Sequence, residues 1–285
     1  MREYSAPDEA IVRVICEPQR VQTPKLRPAM RPTFLLHALS AAAALLIANT
    51  GIGADTAEEL IRRGEGFSAK LQSAEALKSF LPAERLDPKN ARLLVHIAQQ
   101  YRHLMSDAAK REDKVRLGTT AVNYALRSVA LAPNDPETYL ALAISLGKVT
   151  PLLGNKEQFA NSPLIKASAD KSLALDPAND LAWQVLGRWY LAVADVSGFK
   201  RAMAKLAYGN LPAATYADAV RCFEKAILLK PDRLMHHIEL GRTYKQMGRD
   251  ADARKSITTG LALPDTEKDD PETKASGREL LKKLH

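Results

Sequence analysis

The chain has 285 residues, with 41 Lys and Arg against 33 Asp and Glu, a net charge of +8 and 46% apolar residues. That balance excludes a disordered chain, and without a basic tail so mild an excess does not call for nucleic acid as a partner. Two cysteines, Cys16 and Cys222, exclude a disulfide framework and a thiolate zinc site, while 6% aromatic residues beside abundant Ala and Leu favour helices over a β-sandwich.

Residues 1–29 carry four prolines and no hydrophobic period, and read as an upstream extension, since Met30 stands directly before the next pattern. From Thr33 to Ala54 the chain has no charged residue. Arg31, the apolar core Phe34 to Ile47 and the small pair Gly53-Ala54 together have the form of a secretory signal cut before Asp55. The rival reading is a membrane anchor, because about 20 apolar residues can span a bilayer. Export would leave the chain periplasmic or extracellular, with Cys222 as its one cysteine. The expected organisation is therefore residues 1–54 as extension plus signal or anchor, and residues 55–285 as one folded domain.

That domain repeats one unit. Leu60, Gly64 and Phe67, then Ala76, Phe80, Ala83 and Pro88, form the first copy. Leu94, Ile97, Ala98 and Tyr101 open the second, and Tyr139, Leu142, Ala143 and Leu146 the third. The fourth has Trp183, Leu186, Gly187 and Tyr190, then Ala219, Phe223, Ala226 and Pro231. The fifth has His237, Leu240, Gly241 and Tyr244, then Ala253, Ile257, Gly260 and Pro264. Small residues at one position let two antiparallel helices approach, and large ones three or four places on fill the gap to the next pair. The segments LDPKN, LAPND, LDPAN and LKPDR supply a proline that ends one helix and an Asn or Asp that can cap the next. This resembles the tetratricopeptide repeat. The expected fold is an all-α, right-handed superhelical solenoid of about five helix pairs with inserts. A final helix from Asp270 to His285, with Leu280, Leu281 and Leu284 on one side, would cap it. Pro82 should kink or shorten the helix that holds it.

The prolines at 88, 133, 177, 231 and 264 are spaced by 45, 44, 54 and 33 residues. Against a plain repeat of 34, three units carry inserts. The stretch Leu175-Asp176-Pro177, Leu186-Gly187-Arg188-Trp189-Tyr190, Val193-Ala194, Lys205-Leu206-Ala207, Thr215-Tyr216 and Ala219 resembles the regulator-of-microtubule-dynamics family. Gly147 and Asn161-Ser162-Pro163-Leu164-Ile165-Lys166 are similar to it too, so the likeness covers about residues 60–284. It implies a scaffold associated with cytoskeleton or membrane; the export segment implies a bacterial, exported member. An exported chain does not meet a cytoplasmic filament, so the export reading argues against a tubulin partner.

No nucleophile elbow, zinc-protease helix or phosphate loop is present in the sequence, and neither catalysis nor a cofactor is expected. His96 and His103 lie on one helix face but about 10 Å apart, too far for one metal ion. His236 and His237 point in different directions, and His237 takes the repeat's Trp position, which makes it a packing residue. No metal site is expected.

The inner wall of the solenoid is the better candidate. Repeat offsets place Val95, Gln99 and Arg102 there, then Leu140, Ile144 and Gly147, then Gln184, Arg188 and Leu191, then Ile238, Arg242 and Lys245. Four of these are cations and none is an acid. Arg102, Arg188, Arg242 and Lys245 would supply charge, and Gln99 and Gln184 hydrogen bonds, to an acidic protein segment or other anionic ligand. The plainer reading is that these are soluble surface residues lying on apolar neighbours. Leu140, Ile144 and Leu191 suit an apolar groove, and so a lipid- or small-ligand carrier as the alternative. Phe199, Ala202, Met203 and Leu206 form one helical stripe beside Lys200, Arg201 and Lys205. It would cover the solenoid's own exterior or rest on a membrane surface.

Overall fold

The computed structural model describes residues 55–197 and 213–284. Among these are eleven α-helices, one short 3-10 helix and no strand. We number them α1 (Ala57–Ser68), α2 (Ser73–Leu86), α3 (Ala91–Asp107), α4 (Arg111–Leu131), α5 (Pro136–Val149), α6 (Asn155–Leu175), α7 (Asp180–Ala194), α8 (Tyr216–Leu229), α9 (Leu234–Gln246), α10 (Asp250–Ala262) and α11 (Asp270–Leu281). The 3-10 helix, Thr150–Leu152, joins α5 to α6. Successive helices pair as five hairpins, here repeats 1 to 5, and α11 closes the stack against α9 and α10. This is the tetratricopeptide solenoid expected from the sequence.

The helices start where the sequence supplies acceptors. Asn90, Asp135 and Asn179 accept from the backbone N–H of Leu93, Glu137 and Ala182 at 3.0, 2.9 and 3.1 Å. Thr56 with Glu59 and Thr215 with Asp218 form reciprocal caps. The fourth proline turn differs: Arg233 precedes α9 and makes no side-chain cap. Its guanidinium pairs instead with Asp180 and Glu267.

Three hairpin interiors, those of repeats 1, 4 and 5, set a glycine against a large side chain. A Cβ on Gly64 or Gly187 would come within 2.4 or 2.6 Å of the Phe80 or Phe223 ring, and one on Gly241 within 2.5 Å of Ile257. Repeats 2 and 3 carry Ala98 and Ala143 at that position. Each shares a buried cluster with an alanine of its partner helix, Ala125 and Ala169 respectively. Large side chains at that position of the second helix thus go with Gly, and alanines with Ala.

Two inserts take the form of longer helices. Repeat 2 has 17 residues in α3 and 21 in α4, and repeat 3 has 21 in α6, preceded by the 3-10 turn. The third insert, with the stripe Phe199–Leu206, lies mostly outside the described residues, as do the export segment and Cys16. Pro82 does not shorten α2, which runs on to Leu86. One hydrogen bond is lost there, but Phe80 and Ala83, both fully buried, hold the helix on either side. No described helix is long and apolar enough to cross a membrane.

Candidate functional site

The first helices of the hairpins, α1, α3, α5, α7 and α9, carry the wall. The six polar residues expected there fall into three settings. Arg102 on α3 is buried, and its Nη1 donates to Ser145 Oγ at 3.1 Å and to the Ala141 carbonyl at 3.5 Å, both on α5. Burial lowers its pKa to about 10, so it keeps its charge at neutral pH. Gln99, three residues earlier, is half-buried. Arg242 donates to Ser276 Oγ at 2.8 Å, and Lys245 to the Lys283 carbonyl at 3.1 Å; both cations are engaged by the capping segment. Gln184 on α7 is only 3% exposed, yet its amide makes no hydrogen bond among the described residues. Arg188, one turn further, is exposed, with its Nε 3.9 Å from Glu239. Glu239 also lies 3.3 Å from Arg242. It is a buried wall acid that the repeat offsets did not name. Leu140, Leu191 and Ile238 turn into the core.

The linker between α10 and α11 supplies further acids. Glu267 lies 3.2 Å from Arg233 at the start of α9. Lys148, at the end of α5, donates to Asp269 at 2.5 Å and to Ser106 Oγ at 2.9 Å. Lys268 lies 2.8 Å from Asp107 at the end of α3. The Asp270 carboxylate accepts from the backbone N–H of Thr266 and Glu267 at 2.8 and 2.7 Å, which closes the linker's turn. The linker therefore crosses the wall from the start of α9 to the ends of α5 and α3. Burial raises the Asp269 pKa, but the charge and hydrogen bond of Lys148 outweigh it and leave the carboxyl below its ordinary value. His103, nearby on α3, is pushed down to about 4 by burial and then by Arg102.

Beside this crossing, between repeats 3 and 4, is a cavity of about 860 Å³. Its apolar lining includes Ile144, Phe159, Ile165, Val185, Trp189 and Met235. Its polar lining includes Gln184, Arg188, Lys148, Asp195 and Asp269, and Gly147 leaves room, with no atom within 4 Å of where a Cβ would stand. The extra length of repeat 3 builds one side. Asn161 donates to Thr150 Oγ1 at 3.1 Å, tying α6 to the 3-10 turn. Trp189 Nε1 donates to the Ser162 carbonyl and hydroxyl at 2.9 and 3.0 Å. Lys166 Nζ lies 5.6 Å from the centre of the Trp189 ring. The residues that carry the family likeness, Gly147, Asn161 to Lys166 and Leu186 to Tyr190, thus converge on the cavity. That convergence was the available signal for Phe159, Ile165 and Trp189, which reading by repeat offset missed. A depression of about 880 Å³ along α10 is lined by that helix and Leu263 alone, and is a surface furrow.

The remaining candidates are structural. His96 stacks on Phe80 with ring centres 5.6 Å apart, while His103 Nδ1 lies 3.2 Å from Ser73 Oγ. His237 Nε2 donates to the Pro231 carbonyl at 2.8 Å, as Trp183 Nε1 does to that of Pro177 at 3.0 Å. It fills the repeat's Trp position in hydrogen bonding as well as in place. Burial pushes the Cys222 thiol up to about 11.

Five helical hairpins, their capping helix and a cavity on the inner wall define a tetratricopeptide-repeat scaffold. The fold matches a thermophilic tetratricopeptide protein of Thermus thermophilus, with a TM-score of 0.57 and 16% identity, over 79% of this chain and 100% of that one. The family described as Regulator of microtubule dynamics protein 1-3 matches residues 60–285, and the chain belongs to it. It is 25% identical to Regulator of microtubule dynamics protein 1 of Mus musculus over 198 residues, 68% of this chain and 65% of that protein. The Bos taurus protein of that name is also 25% identical, over 74% of this chain and 68% of its own length.

Proposed function

We propose that the protein is a non-enzymatic adaptor that holds a short protein segment on its inner wall, with an apolar side chain of that segment seated in the cavity between repeats 3 and 4. The observation that carries this is the cavity itself: Ile144, Phe159 and Trp189 line one side of a space of about 860 Å³ that Gln184 and Arg188 also line. The Gln184 amide, which has no protein hydrogen-bond partner among the described residues, would pair with a backbone group of a bound segment. Exposed Arg188 would meet an acidic residue of the same segment. Of the other wall residues, Gln99, Arg102, Arg242 and Lys245 contribute polarity and field from positions set back from the cavity. The test is selection of a peptide library on the full chain. Selected peptides should share an apolar anchor beside an acid. Val185→Trp, which fills the cavity, and Arg188→Glu should each weaken them at least tenfold. Peptides indifferent to both changes would refute the reading.

The cavity volume supports a second reading, a carrier for a small apolar ligand or lipid, since pockets of about 300–1,000 Å³ suit such molecules. Mass spectrometry of the purified full chain separates the two: a carrier releases a co-purifying ligand that Val185→Trp excludes. We also propose that residues 33–54 export the chain or anchor it to a membrane. N-terminal sequencing of the mature protein with its cell fraction tests this, and an intact N-terminus in the cytosol would count against it.

A further inference from the structure

We propose that linker residues 265–269 are a resident occupant of the wall, and that the surface beneath them is a receptor for an acidic linear segment of another protein. This rests on the adaptor reading and extends the docking surface beyond the cavity, along a line from Arg233 to Lys148.

Charge is the first ground. Lifting the linker uncovers Lys148 and removes the Glu267 partner of Arg233, beside the buried cation Arg102 and exposed Arg188. Among the described residues, the hydrogen bonds of Arg102 go to a hydroxyl and a carbonyl, not to a carboxylate. Chemistry of attachment is the second. Between Pro264 and Asp270 the linker reads Asp-Thr-Glu-Lys-Asp, with no apolar anchor, so ion pairs and hydrogen bonds hold it down. By contrast, α11 is fixed by Leu280, Leu281 and Leu284 packed on the core of repeat 5. The linker can therefore lift while the cap stays seated. Incomplete satisfaction is the third. Asp269 Oδ1 is buried without a hydrogen-bond partner among the described residues, an unfavourable arrangement that a better-fitted acidic segment would not share.

A tethered occupant competes at an effective concentration on the order of millimolar. A free segment therefore binds weakly until the linker is displaced.

The probe is a fluorescent peptide of this chain's own sequence, Leu-Pro-Asp-Thr-Glu-Lys-Asp-Asp-Pro, titrated onto the full chain by polarisation. Glu267→Gln with Asp269→Asn should tighten its binding at least tenfold over wild type, and adding Lys148→Glu should reverse the gain. Hydrogen exchange on wild type gives a test without substitutions: excess peptide should speed exchange at residues 265–269 and leave α9 and α10 unchanged. Equal weak binding by wild type and the folded double variant, or no change in exchange, overturns the proposal. The adaptor reading stands apart from this outcome, since it depends on Val185→Trp. Binding that survives Val185→Trp but tracks the linker supports the receptor and removes the cavity anchor. A peptide that drives two copies together by exchanging linkers would make a second copy the partner, and would overturn the assignment to another protein.

Discussion

Repeats 3 and 5 were built on one pattern and put to different uses. Repeat 5 keeps the regular spacing, with 13 residues in each of α9 and α10, and its wall is covered: α11 and the segment after it take the bonds of Arg242 and Lys245. Repeat 3 breaks the spacing with the 3-10 turn and a 21-residue α6, and the extra turns stand away from the hairpin to frame a cavity. The regular unit makes a wall that the chain closes on itself, and the irregular unit leaves a cavity in it.

The comparison breaks hardest at the hairpin interiors, which both kinds of repeat need. Phe223→Ala should destabilise by about 3–5 kcal/mol, as buried Phe truncations do. In a protein of this size that lowers the melting temperature by roughly 10 °C, readable by circular dichroism. Ala169→Phe should overpack repeat 3 by about 1–3 kcal/mol, since Ala143 leaves no room. Adding Ala143→Gly recreates the Gly187–Phe223 pairing of repeat 4 and should recover part of that loss. Strict additivity of the two changes would show that the small-against-large rule does not carry over between repeats.

Next in size is pH. His103 in repeat 2 and His236 in repeat 5 both have pKa values lowered first by burial, His103 to about 4. A histidine with a depressed folded pKa contributes no penalty above its ordinary value of 6.5, where both states are neutral. Below it, the unfolded chain takes up the proton and the folded chain does not, so stability falls from pH 6.5 toward 4. We expect a loss of at most about 2 kcal/mol from His103 over that window, allowing for partial solvent screening. His103→Gln should flatten that slope in thermal melts, leaving the part due to His236. An unchanged slope would mean that acid enters through the carboxylates alone.

These effects separate what the sequence showed from what it hid. The hairpins were legible because every repeat puts a small residue at the same offset, as with Gly64 under Phe80 and Gly187 under Phe223. The caps at Asn90, Asp135 and Asn179 were legible for the same reason, being local. The linker's path was not. Asp269 meets Lys148 across 121 residues, and that meeting depends on small rotations summed over three repeats, which no periodicity records. Arg102 is likewise placed by α5 closing over α3, not by its own offset. Repeat offsets pick out Gln184 and Arg188, which line the cavity, but the cavity also needs Phe159 and Trp189. Phe159 sits in an insert, where repeat offsets lose their meaning, and Trp189 lies between the offsets that were read.

The smallest expected effect is the most informative about the wall. Arg242 donates to Ser276 and lies 3.3 Å from the buried carboxylate of Glu239, so Arg242→Ala should destabilise by about 1 kcal/mol. Arg188 is exposed and 3.9 Å from the same carboxylate, a separation at which an ion pair contributes little. Arg188→Ala should therefore shift stability by no more than about 0.5 kcal/mol. It should nonetheless reduce capture of a selected acidic peptide, and Arg188→Glu with Arg242→Glu should abolish it in a chain that still melts cooperatively. A loss of about 1 kcal/mol or more for Arg188→Ala would make that guanidinium a strut between α7 and α9. The irregular repeat would then be as self-contained as the regular one, and the contrast between them would lose its functional meaning.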